Sequence, residues 1–448
     1  MGLFDRLRGD DGPRIAFLGI DGVPYSLISD HPDRFEHLHD VIERGSAGPI
    51  DSIVPPESSA CWPSLTTGVN PGKTGVYGFQ DREIGSYETY VPMGRDVQAP
   101  RLWDRVEQAD RNATVMNVPV TAPPQRDVQR MVSGFLSRDV ETAAYPASFG
   151  DRLTELRYRI DVNAKLGHES NKSSFIEDAH DTLEARQRAF REFIGKDDWD
   201  LFFGVFMTTD RINHFLFEDY ERDGPNREAF LTFYETLDTY IGELLDLFGD
   251  DVTTIIASDH GFTTLEYEVN CNQWLAEQDW LSFRTEDHEQ LTDISDETTA
   301  YSLIPGRFYL NLAEREPRGS VPRESYSERL DELEEVLTEL ESPNGKPVVE
   351  RVVRGDQVFV GDHDEIAPDL VALPHDGFDL KAGFSGSNSV FDHGPRNGMH
   401  TFSDATLITD DPGVAVEDAT LYDIAPTILD IMDIEFDDGG FDGTSLVA

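Results

Sequence analysis

Asp210 and His214 stand four residues apart, Asp259 and His260 are adjacent, Asp21 follows an early apolar run, and His400 comes near the end of the chain. Carboxylate and imidazole donors in this mix suit Zn²⁺ first and Mn²⁺ second, rather than Ca²⁺ or a thiolate-bound metal. If a helix begins at Asp210, that residue and His214 point to one face and can reach the same ion. The Asp259-His260 pair suits a loop just past a strand, where neighbouring side chains diverge. An isolated Asp-x-x-x-His or Asp-His is common on solvated surfaces and identifies nothing by itself. The signal is their joint placement at successive strand ends. His363, His375 and His393 also lie in polar turns and read as surface or supporting histidines, with His393 the one competitor to His400.

The stretch Val54 to Gly68, VPPESSACWPSLTTG, joins a rigid diproline entry to hydroxyls and small residues. Such a turn can expose one hydroxyl at a helix N-terminus, where backbone N–H groups and the dipole favour a phosphoryl anion. A serine hydroxyl is a poor nucleophile at neutral pH. Bonded to a divalent cation, it can be deprotonated and aimed at phosphorus. Without metals nearby, Ser58 would read simply as an N-cap.

The elements that must position these groups are visible as apolar runs. Arg14 to Ile20 (RIAFLGI) reads as a buried parallel strand whose carboxyl end delivers Asp21. Ala113 to Val118, Leu201 to Met207 (running into Asp210) and Val252 to Ala257 (running into Asp259-His260) have the same format. Between the last two, Phe230, Tyr234, Leu237, Ile241, Leu244 and Phe248 recur at helical spacing, which predicts a right-handed strand-helix-strand crossover. In open sheets of this kind catalysis gathers at the carboxyl ends.

After Phe262 the texture becomes more polar, with a short strand at Arg307 to Leu312 and a charged helix at Tyr326 to Leu340. Apolar strand material returns at Asp369 to Leu373, and Leu421 to Met432 reads as a helix with Pro426 inside its pattern. The predicted fold is therefore α/β. A discontinuous core, 1–265 and 366–448, holds a mostly parallel sheet between helices, and 266–365 forms a smaller inserted α+β domain that could cap the site.

The formal charge of the 448 residues is −50, from 87 acids against 37 Lys and Arg. Lysine remains only at positions 73, 165, 172, 196, 346 and 381. So much like charge opposes a compact state in ordinary buffer, but at about 1 M salt the Debye length is roughly 3 Å and the repulsion is screened. A salt-adapted archaeal cytoplasm is the expected setting. A surface this negative should repel nucleic acid and anionic membranes. Two cysteines, Cys61 and Cys271, outside any C-x-x-C pair, imply neither a disulfide framework nor a thiolate metal site. No run of about 18 apolar residues or signal-peptide pattern is present, which fits a cytoplasmic protein. Met1 to Arg8 reads as a frayed terminus with at most a turn or two of amphipathic helix.

A series of short motifs, in order and spanning almost the whole chain, resembles the type I phosphodiesterase and nucleotide pyrophosphatase family of the alkaline phosphatase superfamily. They run from Gly19-Ile20-Asp21-Gly22 through Pro55-Pro56 to Thr67-Gly68, Asn70-Pro71-Gly72-Lys73, Leu102-Trp103-Asp104 and Asn117-Val118-Pro119. Asp210-Arg211 with His214, Ser258-Asp259-His260-Gly261, Asn270 to Leu275, Ala367-Pro368-Asp369, Asp423-Ile424-Ala425-Pro426-Thr427 and Asp442-Gly443 complete the series.

The resemblance implies an alkaline phosphatase-like core and two divalent metals. One would be held by Asp210, His214 and His400, the other by Asp21, Asp259 and His260 together with the nucleophile. That nucleophile falls on Ser58, with Ser59 as the fallback. It implies a hydrolase acting on a small phosphate-ester substrate, diester, pyrophosphate or monoester, through a phosphoserine. Two other readings are a phosphomutase resembling the cofactor-independent phosphoglycerate mutases, which would return phosphate to the substrate, and a non-catalytic metal-stabilised binding protein. The asparagine that assists phosphate oxygens in nucleotide pyrophosphatases falls near Phe79 here. Related sulfatases need a Pro and an Arg after their Cys or Ser, and Ser58-Ser59-Ala60-Cys61-Trp62 has neither, so sulfatase chemistry is not expected.

Overall fold

The computed structural model describes residues 12–249, 251–384 and 389–448, so the turn expected over Met1 to Arg8 lies outside the described residues. At its centre is an eight-stranded sheet in the order Ser46–Ile50, Ala405–Thr409, Val252–Ala257, Arg14–Ile20, Leu201–Phe206, Ala113–Val118, Arg130–Ser133 and Ala144–Tyr145. The pairings from Val252–Ala257 across to Arg130–Ser133 are all parallel. Ala405–Thr409 runs antiparallel to both its neighbours, and Ala144–Tyr145 is antiparallel at the other edge.

All seven residues of Arg14–Ile20 are buried, because the sheet is covered on both faces. Ala16, Leu18 and Ile20 face one apolar cluster with the helices Ser173–Ile194, Thr208–Glu221 and Arg227–Leu245. Ile15 and Phe17 face the other cluster, with Ser58–Thr67, Leu102–Gln108 and Ile424–Ile431. This period-two partition explains why the run shows no polar alternation.

The C-terminal helix expected from Leu421 is a short 3-10 turn, Leu421–Asp423, followed by the α-helix Ile424–Ile431. Pro426 falls in the first turn, where a missing N–H leaves no intrahelical bond unmade.

A second, antiparallel sheet runs Ala300–Leu303, Arg307–Leu310, Leu370–Pro374 and Val349–Arg354, with Tyr326–Thr338 packed on it. The expected domain edge at 365/366 thus falls inside a sheet. Leu370–Pro374 is an apolar run, and such a run looks alike whichever sheet receives it. Here it is buried between two strands of the smaller sheet, and Phe378 and Leu380 join the same apolar cluster.

The smaller sheet is tied to a short ribbon, Asp81–Arg82 with Thr89–Tyr90, by Arg307, fully buried, which pairs with Asp81 and donates to the carbonyls of Gln80 and Ile304. Gly261–Thr264 pairs with Gly398–Thr401 in a separate two-stranded ribbon, setting Phe262 opposite His400. No helix among the described residues is long and apolar enough to cross a membrane.

Candidate metal centre

The parallel strands end on one side of the sheet, and their continuations carry the candidate residues there. Asp21 follows Arg14–Ile20, Asp259 and His260 follow Val252–Ala257, and Asp210 and His214 lie one turn apart on the helix that opens after Leu201–Phe206. His400 arrives from the ribbon. One ligand atom each from Asp21, Asp259 and His260 lie within 4.8 Å of one another, as do atoms of Asp210, His260 and His400. His214 joins the second group, its Nε2 3.3 Å from Asp210 Oδ1 and 3.2 Å from His400 Nε2.

Ser58 is the first residue of the helix Ser58–Thr67, and its hydroxyl oxygen lies 3.1 Å from His260 Nε2 and 3.4 Å from Asp21 Oδ1. Ser59, the fallback, is buried and does not line the cavity over the site. His363, His375 and His393 do not line it either; His393 packs against Tyr267 with its ring tilted, centroids 4.7 Å apart.

Two glycines make this approach possible. A Cβ on Gly19 would sit 2.6 Å from the Trp62 ring and 2.9 Å from Val205, so only glycine lets the indole lie against the strand. From there Trp62 Nε1 donates to Asp21 Oδ2 at 2.7 Å. Gly22 turns at a φ of +66°, and its N–H donates to Asp259 Oδ1 at 3.1 Å. Around these groups, Thr209 Oγ1 donates to the carbonyl of Asp21 and Ser52 Oγ to that of Asp259. Arg211 donates to Asp210 Oδ2 at 3.1 Å and is braced from behind by Asp161 at 2.9 Å. The roles of Trp62, Arg211 and Asp161 carry no signature in sequence spacing; Arg211 was visible only as a neighbour of Asp210.

The electrostatics call for positive charge. Burial, and then repulsion from Asp259 and Asp210, push the Asp21 carboxyl well above the usual carboxylate range. Burial likewise raises Asp259, against the pull of the Gly22 amide and His400. Burial also opposes ionisation of Asp210, but His214, His400 and Arg211 outweigh it and hold that carboxyl low. Burial depresses His214 and His260, whereas for His400 the bond to Asp210 outweighs burial and raises the pKa.

The donor atoms fit a metal. Each imidazole turns its Nδ1 to a backbone carbonyl: His214 to Gly398 at 3.1 Å, His260 to Gly261 at 3.0 Å, His400 to Pro56 at 3.2 Å. That network assigns the hydrogen to Nδ1 and points each Nε2 lone pair inward, the arrangement metal-binding histidines use. With both Nε2 atoms unprotonated, as metal ligation requires, the lone pairs of His214 and His400, 3.2 Å apart, meet beside Asp210, where one cation can take all three. Asp259 Oδ2 is buried with no hydrogen-bond partner, 3.4 Å from His260 Nε2. A buried carboxylate oxygen so placed is costly unless a cation satisfies it.

A cavity of about 480 Å³ opens over these groups. Ser58, Asp210, His214 and His400 line it, together with Phe79, Phe135, Ile304, Pro305 and Leu373, the last a residue of the smaller sheet. Phe79 stacks with Phe135, ring centroids 6.3 Å apart, so an apolar surface stands where the nucleotide pyrophosphatases are expected to carry an amide.

Among solved structures, phosphonoacetate hydrolase from Sinorhizobium meliloti 1021 is similar at 15% identity and a TM-score of 0.58, over 95% of this chain and 96% of that one. Murine ectonucleotide pyrophosphatase / phosphodiesterase 5 gives 12% and 0.56, over 94% and 95%. The alkaline phosphatase PafA gives 13% and 0.59, over 98% and 99%. These likenesses establish an alkaline phosphatase-like fold. No curated protein matches the chain by sequence. The sequence model of the family described as type I phosphodiesterase / nucleotide pyrophosphatase matches residues 15–398. The chain belongs to that family and is a phosphoric ester hydrolase.

Proposed function

We propose that the chain hydrolyses phosphate esters by double displacement through a phosphoserine at Ser58. One divalent cation, Zn²⁺ or Mn²⁺, would be held by Asp21, Asp259, His260 and Ser58, and a second by Asp210, His214 and His400. Bound there, the cations would neutralise the buried carboxylates, lower the pKa of the serine hydroxyl and stabilise charge gathering on the phosphoryl oxygens. Ser58 Oγ forms a bond to phosphorus while the ester P–O bond breaks and its electron pair leaves with the alcohol or phosphate. Water then attacks the phosphoserine, the Ser58–phosphorus bond breaks, and the serine is regenerated. Asp21 orients the Ser58 hydroxyl from the side that the Trp62 indole locks, and Arg211, fixed by Asp161, keeps Asp210 ionised.

The observation that carries this reading is the inward convergence of three imidazole Nε2 atoms and three buried carboxylates into one cluster, with the Ser58 hydroxyl against its His260 and Asp21 members. The small sheet, together with its helix, is read as a cap that selects the leaving group, running from 266 to about 381 instead of stopping at 365. The charge of −50 supports a salt-adapted cytoplasmic setting. With added Zn²⁺ or Mn²⁺ the protein should cleave bis-p-nitrophenyl phosphate, and Ser58→Ala should abolish turnover while metal content is retained. Full activity in that variant would move the nucleophile elsewhere.

A further inference from the structure

Among the described residues three fixed cations reach the cavity, and two of them are already committed. Arg211 is spent on Asp161 and Asp210, and Lys381 forms an ion pair with Asp379. The third, Arg396, lines the same cavity, half-buried, and among the described residues makes no hydrogen bond and no ion pair. In a chain carrying 87 acids, an arginine left without a carboxylate partner beside a cluster of buried carboxylates is unusual. Its place is fixed by its neighbours: the Asn397 N–H donates to the carbonyl of His214 at 2.8 Å, and Gly398 accepts from His214 Nδ1. Arg396 therefore belongs to the wall beside the Asp210, His214 and His400 group. Its charge is felt at both His214 and Asp379. Much of the remaining wall is apolar: Phe79, Phe135, Phe215, Ile304, Pro305 and Leu373.

We propose that Arg396 is a specificity-determining residue that receives a second anionic group, separate from the scissile phosphoryl, on a substrate whose organic part is otherwise apolar. The fork of a guanidinium suits a carboxylate or a second phosphate. The apolar walls accept a ring or chain. Stacked Phe79 and Phe135 extend the flat part of that surface. The substrate class is thus an amphiphilic phosphate ester with two separated negative charges. This rests on the hydrolase reading above.

The test uses the metal-loaded protein and two matched diesters, phenyl p-nitrophenyl phosphate and 4-carboxyphenyl p-nitrophenyl phosphate, which differ by one carboxylate. Wild type should favour the carboxylate-bearing diester in kcat/KM. In Arg396→Met the ratio of the two kcat/KM values should fall on the order of tenfold to a hundredfold, as expected for loss of a charge-assisted hydrogen bond. Arg396→Lys keeps a charge but loses the fork, so its ratio should fall less, about threefold. That variant also gives a second reading should the methionine variant not fold. An equal fall for both diesters would mean that Arg396 meets the scissile phosphoryl, and unchanged kcat/KM values for both would mean that it meets neither group. Either result overturns the inference. If wild type cleaves neither diester, the proposed phosphoserine mechanism itself fails; if it cleaves the phenyl diester as well as the carboxyphenyl one, only the Arg396 inference does.

Discussion

Replacing Arg307 by methionine should be among the most damaging single changes outside the cavity. Arg307 and Asp81 are both essentially without solvent contact, and the guanidinium also satisfies the carbonyls of Gln80 and Ile304. Removing one member of such a pair leaves a buried, uncompensated carboxylate and costs about 3–5 kcal/mol. Two surface charges would not do the same, because molar salt screens them, whereas this pair is out of reach of the solvent ions. The penalty should depend on pH. Burial pushes the Asp81 carboxyl up, and Arg307 with the Tyr77 amide pulls it back; without Arg307 it rises further. A carboxyl whose folded pKa lies above its unfolded value contributes stability below the unfolded pKa and loses it as pH rises through the folded pKa. Arg307→Met should therefore be worst at alkaline pH, near pH 8, and ease as the pH falls towards 5 and Asp81 takes up a proton. Urea unfolding followed by circular dichroism, at both pH values in molar salt, measures this. A variant within about 1 kcal/mol of wild type at pH 8, or a penalty indifferent to pH, would refute the account of the pair.

Trp62→Phe should preserve the fold but lower kcat/KM by roughly tenfold, because Asp21 Oδ2 loses its indole donor; steady-state kinetics with metal analysis separates this from loss of the ions. Zn²⁺ or Mn²⁺ at about a hundred times its dissociation constant should add about 2.7 kcal/mol of stability, and chelation should remove it, read as a shift in the melting temperature. Diluting salt from about 2 M to 0.1 M should unfold the protein reversibly, seen by circular dichroism; a fold indifferent to salt would remove the argument for a salt-adapted setting.

The parallel strands were legible because burial on both faces leaves unbroken apolar runs, as in Arg14–Ile20 and Leu201–Phe206. The gathering of Asp21, Asp210, His214, Asp259, His260 and His400 was legible for the same reason, since all but His400 follow a strand of the one sheet. The limits came from long-range contacts. Asp81 and Arg307 are 226 residues apart and belong to no local pattern, so nothing in the sequence announces their pairing. The membership of Leu370–Pro374 in the smaller sheet was not legible, because the run has the same composition as a core strand. The Trp62 indole could not be foreseen as a partner of Asp21, because that contact depends on the space left open at Gly19.

Ser58 and Trp62 sit one turn apart on a single helix and grip opposite oxygens of the same carboxylate. Asp21 itself stands at the end of Arg14–Ile20, which is paired on both sides within the central sheet, so these two contacts tie the helix to the sheet. A slide of the helix along the sheet would have to break both contacts at once. The position of the attacking oxygen is thereby set by the strand that delivers the acid, and it stays in register with Asp210 and His214, which follow the neighbouring strand.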